Sequence, residues 1–226
     1  MLYENEPLFE YTDSIRELSE EICRKLREMK ACPDLEAAAR NDAVESTLKM
    51  ADVDDEGEAL DALNAHAVYS EEVDTNDLQA LNDAHGRMMK GLIPDAGSYR
   101  TGPIIIANSQ QLYYVGVPTR IIEDSMEGLF EWVCASKIDP IVKSCLFHRE
   151  FEYIHPYSDG NGRMGWLWQR KMLESWEPDF AKVPFEKTLL ENENDYMRAM
   201  RKSCLSGDST EFVQFMLEQI RDSIPG

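Results

Sequence analysis

The chain has 226 residues, of which 43% are hydrophobic and 29% charged, and a formal net charge of −20; that is enough chain for one large domain, or a domain with an appendage, around a sizeable core. So acidic a surface repels phosphate backbones, which argues against nucleic acid as a general partner but leaves room for a local basic pocket that binds a small anion. No run approaches the roughly 18 consecutive apolar residues of a membrane span, so no membrane partner is expected.

The first periodic segment carries Ile15, Leu18, Ile22, Leu26 and Met29 on one helical stripe. Cys32, Pro33 and Asp34 end it, and an alanine-rich helix follows over about 35–50. The stretch ADVDDEGE (51–58) is acidic and has no apolar period, so it reads as a linker. This divides the chain into an N-terminal helical extension, 1–57, and a second unit, 58–226. Further helices are expected over 58–69 and 75–92, the latter with Leu78, Leu81, His85 and Met88 on one face.

The period then changes. Ile104-Ile105-Ile106, a polar turn at 108–111 and Leu112-Tyr113-Tyr114-Val115 read as a hairpin, the one convincing strand signal. Asp139-Pro140 is an N-cap followed by proline at the first helical position, and Phe147, Phe151 and Ile154 continue that helix as a core stripe. Pro156 disfavours a helical conformation at His155 and stops the helix there. Another helix opens at about 161–162, with Met164, Leu167, Trp168 and Met172 as its buried side, and a last one carries Phe212, Met216 and Ile220 in phase. The expected fold class is all-α, mainly helical, with one small β-hairpin. The five cysteines are scattered, with no C-x-x-C; they suit reduced thiols, and with a start (MLYENEPLFEYTDS) unlike a secretory signal they predict a cytoplasmic protein.

The chemistry concentrates in the loop HPYSDGNGR, His155 to Arg163. A glycine-bracketed turn leading into a helix presents unpaired backbone N–H groups and the positive end of the helix dipole, which together form an anion site. Gly160 and Gly162 let the backbone approach a phosphate, and Asn161 lies between them. Arg163 adds a planar fork suited to phosphate oxygens. Asp159 is a hard oxygen ligand of the kind that bridges Mg²⁺ to substrate phosphates. His155 is suited to general-base work. Each of these residues alone has an ordinary structural use, as turn, cap or hydrogen bonder; the combination at this spacing does not.

The loop closely resembles the signature of the Fic (filamentation induced by cAMP) family, H-P-F-x-D/E-G-N-G-R-x-x-R. The resemblance extends to Ala96-Gly97-Ser98-Tyr99-Arg100 before the hairpin, to His148 and Phe151 before the loop, and to Gly207-Asp208-Ser209-Thr210 beyond it, over roughly 58–220. It implies a nucleotidyltransferase that moves AMP from ATP to a hydroxyl of a target protein. On this resemblance His155 takes the hydroxyl proton and Asp159 holds Mg²⁺ against the α- and β-phosphates. Gly160, Asn161 and Gly162 line the anion site, and Arg163 binds phosphate as pyrophosphate leaves. The hairpin, about 104–117, corresponds to the family's flap, which pins an extended target segment by strand addition.

Two departures stand out. Trp166 occupies the place of the second motif arginine, which in other members contacts the γ-phosphate of ATP; Arg170, one turn on, is a candidate to compensate. The helix near 39–50, where many members carry an inhibitory S/T-x-x-x-E-G/N, aligns only as Asn41-x-x-x-Glu45-Ser46 or with Lys49 in place of the glutamate. Self-inhibition through that pair is therefore not expected. Three readings stay open: AMP transfer, transfer from another donor (a different NTP or a CDP-linked group), and a nucleotide-binding or interaction protein with little catalysis. The target, the oligomeric state and the existence of an antitoxin-like regulator also stay open.

Overall fold

Apolar stripes and capping residues build ten α-helices and one hairpin among the residues that the computed structural model describes, 7–29, 33–50, 58–107 and 112–225. The first four helices are α1 (Asp13–Glu28), α2 (Pro33–Met50), α3 (Glu58–Tyr69) and α4 (Leu78–Met88). The strands β1 (Ile105–Ala107) and β2 (Leu112–Val115) follow. Then come α5 (Ile122–Ala135), α6 (Pro140–Ile154), α7 (Asn161–Trp176), α8 (Phe185–Glu191), α9 (Glu193–Ser206) and α10 (Thr210–Ser223). The expected class, mainly helical with one hairpin, is the class observed. The linker expected at 51–58 (all but its last residue) and the turn expected at 108–111 lie outside the described residues.

The helix pair α6–α7 forms the centre, and its apolar side chains are sealed: Phe147, Phe151, Ile154, Met164, Leu167 and Trp168 have essentially no exposure. Burying each large side chain of this kind contributes about 2–3 kcal/mol relative to leaving it in water. Asp139 caps α6 by accepting from the N–H groups of Ile141 and Val142, with Pro140 in the first turn. At the other end the chain leaves α6 with His155 in the left-handed conformation, φ 51° and ψ 63°. His155 is the one non-glycine residue with positive φ among those described.

The other helices surround this pair. α10 packs on α1, α6, α8 and α9, while α2 lies against α3, α7 and α8. The two helices read as an N-terminal extension thus share the common core, where Ile15, Ile22, Ala43 and Val44 join Phe147 and Met216. In the hairpin Ile105 pairs with Val115 and Ile106 with Tyr114, with an irregularity before Ala107. Tyr114 is buried, whereas Ile105 and Val115 face outward, so one face of the hairpin lies on the helical body beside the α6–α7 loop.

Candidate active site

The loop between α6 and α7 is held from within and from two sides. Asn161 closes it: its Oδ1 accepts from the N–H of Tyr157 and its Nδ2 donates to the Tyr157 carbonyl, both at 2.9 Å. The side chain of Asn161 is thereby buried and committed to the loop. On one flank Arg100 donates to the carbonyls of His155 (2.7 Å), Gly102 (2.8 Å) and Ile154 (3.3 Å), and to that of Val117 at the base of the hairpin. On the other flank stands His85 of α4, its ring stacked on Tyr157 at 3.6 Å. The N–H of Gly97 donates to His85 Nδ1 (2.8 Å), so Nε2 bears the proton and donates to the Asp159 carbonyl (3.0 Å). Burial holds this ring neutral, with its pKa lowered to about 4.

His155 lies at the loop's start with its ring orientation set by α6. Its Nδ1 donates to the carbonyl of Glu152 at 3.1 Å, which leaves Nε2 as the nitrogen with the lone pair. Burial is the main cause that lowers its pKa to about 4, with the Arg100 charge adding to it. The ring is therefore neutral near pH 7 and lines the cavity described below. Both are requirements of a general base.

The cradle is the first turn of α7. No side chain caps it, so its leading N–H groups are open to an anion. The two glycines differ in what demands them. Gly160 has φ 79° and a Cβ there would stand 2.6 Å from Met89 Sδ, so packing and backbone explain it. Nothing lies within 4 Å of a Cβ built at Gly162, so that glycine leaves open space at the cradle. Asp159 accepts from the Gly160 N–H at 2.6 Å and stays 60% exposed. One exposed carboxylate at the mouth of an anion site suits Mg²⁺, which takes one or two carboxylates together with phosphates and water. Among the described residues no group of three or more His, Cys, Asp or Glu side chains is placed to enclose a metal.

Arg163 extends from the same turn between two carboxylates. One end is ion-paired with Asp61 of α3, and its Nη2 lies 3.4 Å from Asp159 Oδ2. Asp61 is fully buried and its other oxygen has no hydrogen-bond partner; burial raises its pKa and the Arg163 charge opposes that rise.

These groups face a cavity of about 360 Å³, whose opposite walls are Ile104–Ile106 of the hairpin and Thr47 and Met50 of α2. Trp166 forms part of the wall, nearly sealed from solvent, with its ring edge-on to Tyr196. Arg170 does not reach the cavity. It is paired with both oxygens of Glu186 at 2.5 Å, donates to the Val183 carbonyl and lies over the Phe185 ring, so this candidate for the compensating role is a structural residue instead. Glu45 and Lys49, the α2 residues of the two inhibitory alignments, are both about two-thirds exposed and lie 3.8 Å from each other. Thr47 and Met50 are the α2 residues that face the site.

His155, Asp159, Gly160, Asn161, Gly162 and Arg163 thus lie around one space. Asp61, Glu152 and the polar role of His85 were not legible beforehand. Asp61 lies 102 positions from its partner, and His85 occupies a helix position indistinguishable from a core one. The signal closest to them is Gly97, whose φ of 84° and contact with Gly86 bring its N–H to His85.

A family model for the Fic/DOC family matches residues 74–173. The crystal structure of a Fic family protein from Desulfovibrio desulfuricans superposes with a TM-score of 0.90 at 30% identity, over 97% of this chain and 75% of that one. A probable protein adenylyltransferase of Aquifex aeolicus is 29% identical over 106 residues, 46% of this chain and 30% of its own length. A protein adenylyltransferase of Nematostella vectensis is 25% identical over 163 residues, 70% of this chain and 35% of its own length. The chain thus spans about a third of the adenylyltransferases it matches.

Proposed function

Because the chain belongs to the Fic family, we propose that it transfers AMP from ATP to a hydroxyl side chain of a target protein, releasing pyrophosphate. The observation that carries this reading is the placement of His155. Its neutral ring, with the Nδ1–H donating to the Glu152 carbonyl, keeps the lone pair of Nε2 at the cavity where the open first turn of α7 would hold the phosphates. Nε2 accepts the target's hydroxyl proton, and the cradle with Arg163 orients the α-phosphate and balances charge as pyrophosphate departs. Asp159 would hold Mg²⁺, which when bound neutralises phosphate charge. The outward strand edge beside His155 offers an extended target segment a place to pair. The thiols of Cys23, Cys134, Cys145 and Cys204 are free and suit the reducing cytoplasm, where we place the reaction.

A second reading has its own observation. Trp166 brings no charge to the cavity, and among the described residues Arg163 is the one arginine or lysine lining it, already facing Asp61 and Asp159. A donor with no terminal phosphate to neutralise, such as a diphosphate-linked group, would fit that balance.

The test is to incubate the protein with Mg²⁺ and each donor, following its own intact mass and label transfer to host lysate. Gain of AMP from ATP, abolished by His155→Ala, is the expected result. Label from a diphosphate-linked donor alone establishes the second reading, and binding without transfer from any donor overturns both.

A further inference from the structure

Behind the ring of His155 lies a side chain that this reaction leaves unused. Glu152 stands one turn earlier on α6 and is 4% exposed. Its Oε2 lies 3.6 Å from His155 Nδ1, and its Oε1 has no hydrogen-bond partner. α7 carries Gly165 where it passes this carboxyl, and a Cβ there would stand 2.5 Å from Oε1. The Tyr114 hydroxyl donates to the same carboxyl, while its ring meets His155 edge-on with centroids 6.2 Å apart. Burying a carboxyl with no cation against it is costly, and a site that does so beside a general base calls for a reason.

We propose that Glu152 is a positioning residue for proton transfer: its carboxyl stands behind the Nδ1–H of His155 and, once ionised, strengthens Nε2 as the base. This rests on the reading of His155 given above. In the step, the target's O–H bond breaks and its proton passes to Nε2. The oxygen's electron pair forms the bond to the α-phosphorus, and the bond from that phosphorus to pyrophosphate breaks, with pyrophosphate keeping the pair. The ring is left as an imidazolium whose Nδ1–H faces two oxygens of Glu152, the backbone carbonyl at 3.1 Å and the carboxyl at 3.6 Å. An opposite charge at that distance favours the charged ring.

The groups around this pair are separated in pH. Facing Glu152 are His148 and His155 of α6, Tyr114 of β2, Gly165 of α7, and Tyr196 and Cys204 of α9; Arg100 and Asp159 act on His155. Burial pushes Glu152 up to about 8, while it lowers His148 and His155 to about 4. It also raises Cys204 to about 12 and moves Tyr114 and Tyr196 well above their usual range. Between roughly pH 5 and 10, Glu152 is the member of this buried cluster that changes charge.

The experiment is a titration of the full chain with ¹⁵N-labelled histidine, following the His155 ring signals without donor in wild type, Glu152→Gln and Tyr114→Phe. A step is expected in wild type with a midpoint near 8. It should vanish in Glu152→Gln and move to higher pH in Tyr114→Phe, because that hydroxyl favours the ionised carboxyl. A flat His155 signal in folded wild type, or the same step in Glu152→Gln, overturns the proposal. Should Glu152→Gln not fold, the wild-type step and its movement in Tyr114→Phe decide the matter. With ATP and Mg²⁺, AMP transfer should rise several-fold between about pH 7 and 9 in wild type and stay flat in Glu152→Gln, with KM for ATP unchanged. A wild type that transfers no AMP at any pH overturns the proposed reaction, and the ring titration, made without donor, still decides the role of Glu152.

Discussion

Asp61 and Arg163 form a buried ion pair that ties α3 to the first turn of α7. The pair fixes the guanidinium from behind the cradle. Removing one partner of such a pair leaves the other charge buried without compensation, a loss of about 3–5 kcal/mol. Asp61→Ala should therefore destabilise the protein by about that amount, partly relieved by Asp159. Asp61→Asn, which keeps one hydrogen bond, should lose less. Urea unfolding measures both, and a change below about 1 kcal/mol for Asp61→Ala would mean that the pair contributes little.

Arg100 joins the hairpin to the catalytic loop by donating to carbonyls on both, at Val117 and at His155. A lysine has one nitrogen and cannot serve carbonyls spread around a planar fork. Arg100→Lys should leave at least two of these four carbonyls without donors, costing about 1–3 kcal/mol for each one that is buried. It should also free the base of the hairpin. Hydrogen exchange at Gly116, whose N–H donates to the Ile104 carbonyl at 3.2 Å, should quicken well before the α6 amides do. Uniform quickening would show that Arg100 supports the whole fold rather than the hairpin.

Much of this arrangement was legible in the residues themselves. Pro140 and Pro156 bracket α6, Gly160 marks the start of α7, and the isoleucine run at 104–106 announces the hairpin. These signals are local: each depends on backbone restrictions within a few positions. The partners that tune the site come from far away in sequence. Asp61 and Glu186 lie on helices with no distinguishing pattern, yet they decide that Arg163 is anchored and that Arg170 is structural. Pairing across 102 positions leaves no periodic trace. Arg170 shows the converse limit, because a shared helix face says nothing about which neighbour claims the side chain.

Trp166 is where donor choice can be altered. Its ring is wedged against Tyr196 and forms a wall of the cavity. Arginine in its place would lose the packing and lower the melting temperature, but it would add a charge beside the phosphate site. A charge-assisted contact is worth about 1.5–3 kcal/mol, so Trp166→Arg should tighten ATP binding relative to ADP by about tenfold or more. Calorimetric titration of both nucleotides measures the ratio. An unchanged ratio would mean that position 166 does not face the terminal phosphate.

The buried titrating groups predict how stability depends on pH. His85, His148 and His155 are each lowered to about 4 from an ordinary value of 6.5 by burial. The unfolded chain therefore binds more protons between those values, so stability is complete above 6.5 and is lost as pH falls toward 4. Each ring accounts for at most about 3 kcal/mol. Glu152 acts in the opposite sense: burial raises it from 4.5 to about 8, the folded state binds the extra proton, and stability declines as pH rises through that window. Below 6.5 the three rings outweigh the single acid, and above it the acid acts alone, so these four groups place the optimum near pH 6.5. Chemical denaturation at a series of pH values should show a steep acid arm and a shallower alkaline arm ending near 8. Glu152→Gln should flatten the alkaline arm and leave the acid arm in place. An alkaline arm unchanged in that variant would assign the decline to other groups.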